Sequence, residues 1–348
     1  MFDNIILWLG DDIRARQAAL QFAKKLNLKR CYMVRKSTDF APDTPFTPLN
    51  LLNEGIHLGG ILESALKLRH DKIMTFWDIR NEVWYELYHS DKIEGLKWER
   101  YPDLTKLLKG YRRGELSIYT GQTGSGKTTL LSELSLDLCM QNVCTLWGSF
   151  EISTIRLAKT MLRQYSRVNL EENNELFEIW ADKYESLPMY FMNFYGATKI
   201  EDIIETIDYA VYMYDVEHVI VDNLQFMVSL EFQNDKYFVQ DKIVAALRRF
   251  ATEKAVHISL VVHPRKENDE VVLEKSSIYG TAKAIQEADN IMILHSNPGQ
   301  AKALEVCKNR FDGTLGLVRL QYSTSDSTFS NLKSSRSNII AMMNQEKW

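Results

Sequence analysis

The chain has 348 residues, 45% of them hydrophobic, enough for one large α/β domain and a smaller piece. Its 42 Lys and Arg against 46 Asp and Glu give a formal charge of −4, so no global positive field marks it for nucleic acid, although locally basic loops in a cleft or ring would suffice. No apolar run approaches the ~18 residues of a membrane span, and the four cysteines (Cys31, Cys139, Cys144, Cys307) lack paired metal-binding spacing and suggest free thiols in a reducing compartment.

The first residues, Met-Phe-Asp-Asn-Ile-Ile-Leu-Trp-Leu, lack the Arg-rich amphipathic pattern of a transit peptide and read as mid-strand, so an upstream N-terminus is expected. Ile5–Leu9 is predicted as a strand, Ala15–Leu26 as a helix and Arg30–Val34 as a second strand. This βαβ unit resembles the C-terminal half of a TOPRIM fold, the metal-binding module of primases and topoisomerases. In that family an Asp-x-Asp pair after the strand holds magnesium. Here the triplet is Gly10-Asp11-Asp12, without the first carboxylate, and Arg14-Ala15 replaces a following Ala-Gly. Residues 1–48 are therefore expected to be a structural remnant of a primase-like domain. Prolines 42, 45 and 48 mark a loop. Helical patterning from Leu49 through Leu68 and from Ile73 to Tyr88 makes residues 49–100 a helical linker, either solvated or docked on a neighbouring subunit.

Residues 101–332 are expected to form the main domain. Leu116–Thr120 reads as a buried strand and Thr128–Met140 as a helix with Leu130, Leu131, Leu134 and Leu138 on one side. Between them Gly121, Gly126, Lys127 and Thr128 fill the pattern of a phosphate-binding loop, with Thr123, Gly124, Ser125 and Thr129 in its turn. Glycines let the backbone curl so that its N–H groups face a β-phosphate at a helix N-terminus. Lys127 would neutralise β/γ oxygens and the Thr128 hydroxyl would ligate magnesium. ATP, or another nucleoside triphosphate, with Mg2+ is the expected ligand.

Further elements follow in order. Val143–Phe150 is a strand ending at Glu151, a carboxylate placed either to polarise a water in the crevice of an α/β sheet or to begin the next helix. His218-Val-Ile-Val-Asp222 is a run of buried positions and then an acid, the pattern that holds magnesium beside a phosphate loop. Val256–Val262 is a strand ending at His263-Pro264-Arg265-Lys266, a polar position able to sense a γ-phosphate followed by a basic turn. Ser276–Asn290 is a loop with Gly280, Thr281 and Lys283 and then a helix; small residues and one lysine suit a phosphodiester backbone, or simply a surface. Leu304–Phe311 and Gly316–Tyr322 form a hairpin carrying Lys308 and Arg310, either solvated charges or cations that reach a nucleotide on another subunit. Thr328–Leu332 is a last strand, and residues 333–348 are expected to be a disordered tail.

Trp147-Gly-Ser-Phe-Glu-Ile152, Ile220-Val-Asp-Asn-Leu-Gln-Phe226, Val262-His-Pro-Arg-Lys266, Gln286-Glu-Ala-Asp-Asn290 and Lys308-Asn-Arg-Phe-Asp-Gly313 closely resemble the Twinkle family of mitochondrial replicative DNA helicases, itself similar to the phage primase-helicases. The resemblance runs from about residue 10 to about 332. It implies a RecA-like P-loop core with a mostly parallel sheet, assembled as a hexameric or heptameric ring that moves 5′ to 3′ on one DNA strand in the mitochondrial nucleoid. By motif, Lys127 and Thr128 bind triphosphate and magnesium, Glu151 activates water, Asp222 supports magnesium and His263 senses phosphate. Arg310 with Lys308 would act on the neighbour's nucleotide, and Tyr322 would match an aromatic position near the nucleotide base. Arg265, Lys266, Gly280, Thr281 and Lys283 would line a DNA channel, and the helix near Leu58–Leu68 would pack on the next protomer. The mitochondrial DNA polymerase and single-strand-binding protein are the implied partners. A RecA-type recombinase or strand-annealing ATPase shares the fold and nucleotide site; a small-molecule kinase would need an Arg-rich lid that the chain lacks, and intact Lys127, Glu151 and Asp222 argue against a non-catalytic platform.

Overall fold

Runs of Val, Ile and Leu broken by helical stretches build a layered α/β structure, seen here in a computed structural model that describes residues 2–10, 13–34, 36, 40, 46–67, 76–88, 94–194, 198–225, 236–264, 282–296 and 301–332. The chain divides into two compact units, residues 1–89 and 90–348.

In the first unit β1 (Ile5–Leu7), α1 (Ile13–Leu26) and β2 (Cys31–Met33) form the expected βαβ unit, with Ile5 beside Cys31 and Leu7 beside Met33 in parallel register. Ala19 and Ala23 of α1 pack on Cys31 and Met33. The single helical stretch expected over Leu49–Leu68 is corrected. It divides into α2 (Pro48–Asn53), α3 (Leu58–Glu63) and β3 (Leu66–Lys67), which joins the sheet antiparallel to β2. Gly55 at φ 77° ends the first helical piece, and Leu51, Leu58 and Ile61 turn into a core with Val34, Phe46 and Trp8. α4 (Phe76–Tyr88) closes the unit. Asp11 and Asp12 lie outside the described residues.

In the second unit α5 (Pro102–Leu108) leads into β4 (Leu116–Gly121), followed by α6 (Lys127–Met140), β5 (Thr145–Ser149), α7 (Thr154–Ser166), α8 (Phe177–Glu185), β6 (Met189–Phe191), α9 (Ile200–Tyr214), β7 (His218–Asp222), α10 (Lys236–Lys254), β8 (His257–Val261), α11 (Ala282–Glu287) and β9 (Asn290–His295). β10 (Lys302–Asn309), β11 (Gly316–Ser323) and β12 (Thr328–Asn331) complete a nine-stranded sheet ordered β12-β11-β10-β9-β4-β8-β7-β5-β6. The strands from β9 to β6 are parallel, and β10 to β12 are antiparallel additions. The mostly parallel α/β sheet expected from the sequence is thus present.

Alternation along each strand feeds two cores. Ile118, Val219, Val221, Ile258 and Leu260 face α9 and α10, while Tyr119, Ile220 and Val261 face α5, α6 and α7. α6 differs from its expected one-sided pattern. Ser132, Glu133, Ser135 and Asp137 are buried along with its leucines, and this is tolerated because they are paired: Ser132 donates to Gln164 at 2.8 Å and Trp147 Nε1 to Ser135 at 3.0 Å. The phosphate-loop helix therefore sits inside the domain, held on all sides.

At the end of the sheet where β7 and β8 begin, His218 and His257 stand side by side under Tyr111. His218 Nε2 pairs with Ser259 Oγ at 3.0 Å and His257 Nδ1 with the Arg112 carbonyl at 2.6 Å. Burial lowers both pKa values, and the rings repel each other's charge in His218. A folded pKa below the unfolded value of ~6.5 means that unfolding takes up protons below that pH, so each histidine removes up to about 1.4 kcal/mol per pH unit there. His218→Gln is expected to lose stability at pH 7.5, and the gap to the native chain should narrow as pH falls to 5; urea midpoints across that range check this.

Candidate active site

The C-terminal ends of β4, β8, β7 and β5 lie side by side, and each delivers one polar group to the same crevice. Such crevices are where α/β sheets bind ligands. At a strand spacing of ~4.8 Å, Gly121 and Glu151 are separated by three intervals, roughly 14 Å, which leaves room for a triphosphate and a water between them.

The loop from β4 into α6 has the curl its glycines require. Gly126 is left-handed at φ 101°, and a Cβ on Gly121 would lie 2.6 Å from the Leu294 carbonyl and 2.9 Å from Ser125 Oγ. Lys127 begins α6 with its ammonium folded back, donating to the carbonyls of Gly121 at 2.9 Å and Gln122 at 3.0 Å. Burial lowers its pKa against the pull of Asp222 and Glu151. The buried Ser125 hydroxyl has no hydrogen-bond partner among the described residues. A helix N-terminus, a buried hydroxyl without a partner among the described residues and a buried cation fit a polyanion, so these residues could hold a triphosphate.

Asp222, the last residue of β7, lies beside this loop. Its Oδ2 accepts from Thr128 Oγ1 at 2.5 Å. Burial lifts its carboxyl to about 6 against the Thr128 hydrogen bond, and the nearby Glu151 charge adds to the rise. A hydroxyl and a carboxylate in direct contact, both hard oxygen donors, could hold magnesium, a fit that favours the expected assignment of Thr128 and Asp222.

Glu151 lies just past the end of β5. Ser153 is the N-cap of α7, accepting from Arg156 N at 3.4 Å, so Glu151 stands clear of the helix. Phe150 N donates to the Asp222 carbonyl at 2.7 Å, which turns the Glu151 side chain toward β7. There Asn223 Nδ2 donates to Glu151 Oε2 at 2.6 Å and also contacts His263 Nε2 at 2.9 Å. His263 Nε2 is 3.4 Å from Glu151 Oε2. Burial first, then the Lys127 charge, lower the His263 pKa, while Glu151 opposes them. At neutral pH that places a neutral imidazole accepting from Asn223 on Nε2. Glu151, Asn223 and His263 form one hydrogen-bonded set facing Lys127. The pattern can orient a water and report on a third phosphate.

Asn223 carries no signature of its own in the sequence. It followed Asp222 in the motif without a role, and its partners lie 72 and 40 positions away. Gln225 joins it: its N–H donates to Asn223 Oδ1 at 3.1 Å, and its Oε1 accepts from His263 N at 3.3 Å.

The remaining predicted residues fall elsewhere. Tyr322 is brought to the phosphate-loop end, its ring 5.1 Å from that of Phe329, whose edge lies 3.3 Å from where a Gly126 Cβ would be. Lys308 and Arg310 are not in this crevice. β10 runs antiparallel to β9, so Asn309 pairs with Asn290 at the start of β9 while Gly121 pairs with Leu294 near its end. Lys308 donates to the carbonyls of Ile285 and Gln286, and Arg310 to Asp289 Oδ1 at 3.0 Å. Arg265, Lys266, Gly280 and Thr281 lie outside the described residues; Lys283 falls on α11, with only its backbone described.

Fold and site together define a P-loop ATPase with a RecA-like core. An AAA domain family matches residues 86–269, more than half of the chain, and the chain belongs to that family. Among solved structures it is similar to an ATPase domain with TM-score 0.67 and 15% identity, over 75% of this chain and 100% of that one. It is also similar to a DnaB-like replicative helicase studied for its interactions with primase, with TM-score 0.62 and 15% identity, over 74% of this chain and 71% of that one. At 15% identity the likeness is one of fold.

Asn223→Ala is expected to lower ATP turnover by about 10²-fold with little change in KM, because Glu151 and His263 lose their shared donor while the phosphate loop stays intact. Steady-state kinetics on the purified variant check the split; a raised KM at native turnover would contradict it.

Proposed function

We propose that the protein is an ATP-dependent, ring-forming replicative DNA helicase that moves 5′ to 3′ on single-stranded DNA and unwinds duplex at a fork, with one nucleotide at each subunit interface. The observation that carries the reading is the separation of two cation sets within one sheet. Lys127 lies with Asp222, Glu151 and His263 at one end, and Lys308 and Arg310 lie at the other. Asn290 and Leu294 are four residues apart along β9, roughly 13 Å at ~3.3 Å per residue. That exceeds the reach of an arginine side chain, so Arg310 would serve a nucleotide held by a second copy.

The chemistry asked of each residue is modest, since phosphoryl transfer is catalysed mainly by positioning and charge. Thr128 and Asp222 would hold magnesium, which would supply charge neutralisation when bound with the nucleotide. Lys127 binds the phosphate oxygens. Glu151 takes a proton from the attacking water, and His263, through Asn223, couples that carboxylate to the next loop. An arginine supplied in trans is worth on the order of 10³–10⁵ in rate. Hydrolysis then depends on assembly, as a ring requires.

The helix near Leu58–Leu68 remains one proposed contact between copies, and α4 is a second. That helix leaves Trp84, Leu87 and Tyr88 exposed. An apolar groove between α7 and α8, lined by Ile155, Leu162, Leu170, Phe177 and Tyr184, is the proposed seat for it on the next protomer. The basic segment containing Arg265 and Lys266 and the segment with Gly280, Thr281 and Lys283 are proposed to contact the DNA backbone. The mitochondrial setting, in the matrix nucleoid with a DNA polymerase and a single-strand-binding protein as partners, rests on the family resemblance of the motifs and belongs to the same proposal.

ATP turnover with and without single-stranded DNA, run beside unwinding of a forked duplex, tests the function. The expected result is DNA-stimulated turnover coupled to strand separation from the 5′ tail. A strand-annealing or recombinase activity would give turnover and filaments without unwinding. Arg310→Ala is expected to keep nucleotide affinity and lose stimulated hydrolysis by ~10³-fold or more; normal hydrolysis in that variant would exclude the split site.

A further inference from the structure

Lys302 opens β10 at the same end of the sheet as the phosphate loop, next to Ala303, which pairs with His295. Its ammonium donates to the Ser125 carbonyl. It lies 5.4 Å from the centroid of the Tyr322 ring and 5.6 Å from that of Phe329. A Cβ on Gly126 would meet the Lys302 nitrogen and the Phe329 ring edge, each at 3.3 Å. A cation has thus been pressed against the outer side of the loop and half-covered by two aromatic faces, and burial lowers its pKa.

The location is electrostatically awkward without a ligand. Gly126 is the N-cap of α6, where free N–H groups and the helix dipole already carry positive charge, and Lys127 adds another. A second lysine there is favourable once an anion binds. The chemistry of the contact says how it helps. A peptide unit is planar and trans, so the Ser125 carbonyl and the Gly126 N–H point in opposite directions. With the carbonyl held outward by Lys302, the N–H is directed into the cradle, and pulling electron density toward the carbonyl oxygen makes that N–H a stronger donor.

The shielding is anchored too. The Phe329 N–H donates to Glu133 Oε2 at 2.6 Å, and the Phe329 carbonyl accepts from Tyr101 OH at 3.2 Å. Glu133 is fully buried on α6 itself. The edge strand β12 is therefore fastened to the helix that starts at the phosphate loop, and the Phe329 ring follows that helix.

We propose that Lys302 is a positioning residue of the nucleotide site, holding and polarising the Ser125–Gly126 peptide so that its N–H binds the β-phosphate of a nucleoside di- or triphosphate. The proposal rests on the reading of Gly121–Thr128 as the phosphate cradle. It differs from the role of Lys127, which touches phosphate directly, and it makes β10 to β12 part of the site.

Calorimetric titration of the full chain with ADP and ATP, and competition with AMP, tests it on Lys302→Met, Lys302→Arg and Lys127→Ala. Lys302→Met is expected to weaken ADP and ATP by the same factor, ~10-fold, equal to about 1.4 kcal/mol, and to leave AMP unchanged. Lys302→Arg should restore most of the affinity. Lys302→Gln replaces the methionine variant if that one fails to fold. Native ADP and ATP affinity in Lys302→Met, beside lost binding in Lys127→Ala, would overturn the proposal and leave the cradle standing. A lower melting temperature without a change in affinity would also overturn it, as purely structural. Native binding in Lys127→Ala would overturn the cradle itself and the proposal with it.

Discussion

Asp222 is almost entirely buried at the end of β7, where burial lifts its carboxyl to about 6. Across the crevice Lys127 is buried as well, and its pKa moves the other way. Neither group is comfortable in its charged form, and each is held by short local contacts: Asp222 by the Thr128 hydroxyl, Lys127 by two loop carbonyls. Each buried charge is compensated only in part by these contacts, which is the electrostatic constraint on the crevice. Much of the architecture keeps those two groups close without letting them collapse into a pair. β8 sits between their strands, His263 caps it, and Glu151 with Asn223 occupies the far side.

The buried α6 serves the same end. A helix with a polar face would orient Lys127 and Thr128 from one side only. Here Ser132 bonds to α7, Ser135 to Trp147 of β5 and Glu133 to β12. The loop is thus referenced to three neighbouring elements, so a shift in any of them is felt at the phosphate cradle. The hairpin of β10 and β11 extends this outward. Asp289 accepts from Leu116 N at 2.8 Å, from Arg248 at 3.1 Å and from Arg310 at 3.0 Å. The start of the phosphate-loop strand and the proposed trans cation therefore share one carboxylate.

Much of this was legible in the sequence where chemistry demands contiguous residues. Gly121–Thr128 needs a strand, a curl and a helix in immediate succession, and Asp222 needs only a buried run before it. Glu151 is legible as a strand-end acid, and Ser153 rather than Glu151 caps α7. Asn223, Lys302 and Asp289 were not legible, because their roles come from partners between 21 and 177 positions away. The segment after Leu49 misled for another reason. Its apolar spacing suits a helix, but Gly55, at φ 77°, interrupts it, and pairing of Leu66–Lys67 with β2 decides the outcome.

The central claim is that one nucleotide is served by two copies of the chain. Mixing Lys127→Ala with Arg310→Ala tests it most directly, because each variant spoils a different half of the site. Interfaces that pair the intact phosphate loop of one variant with the intact Arg310 of the other should regain DNA-stimulated ATP hydrolysis, in amounts that follow the mixing ratio and peak near equal parts. If the mixture stayed as inactive as its two components at every ratio, although both variants assembled with each other, Lys127 and Arg310 would not act across a subunit interface.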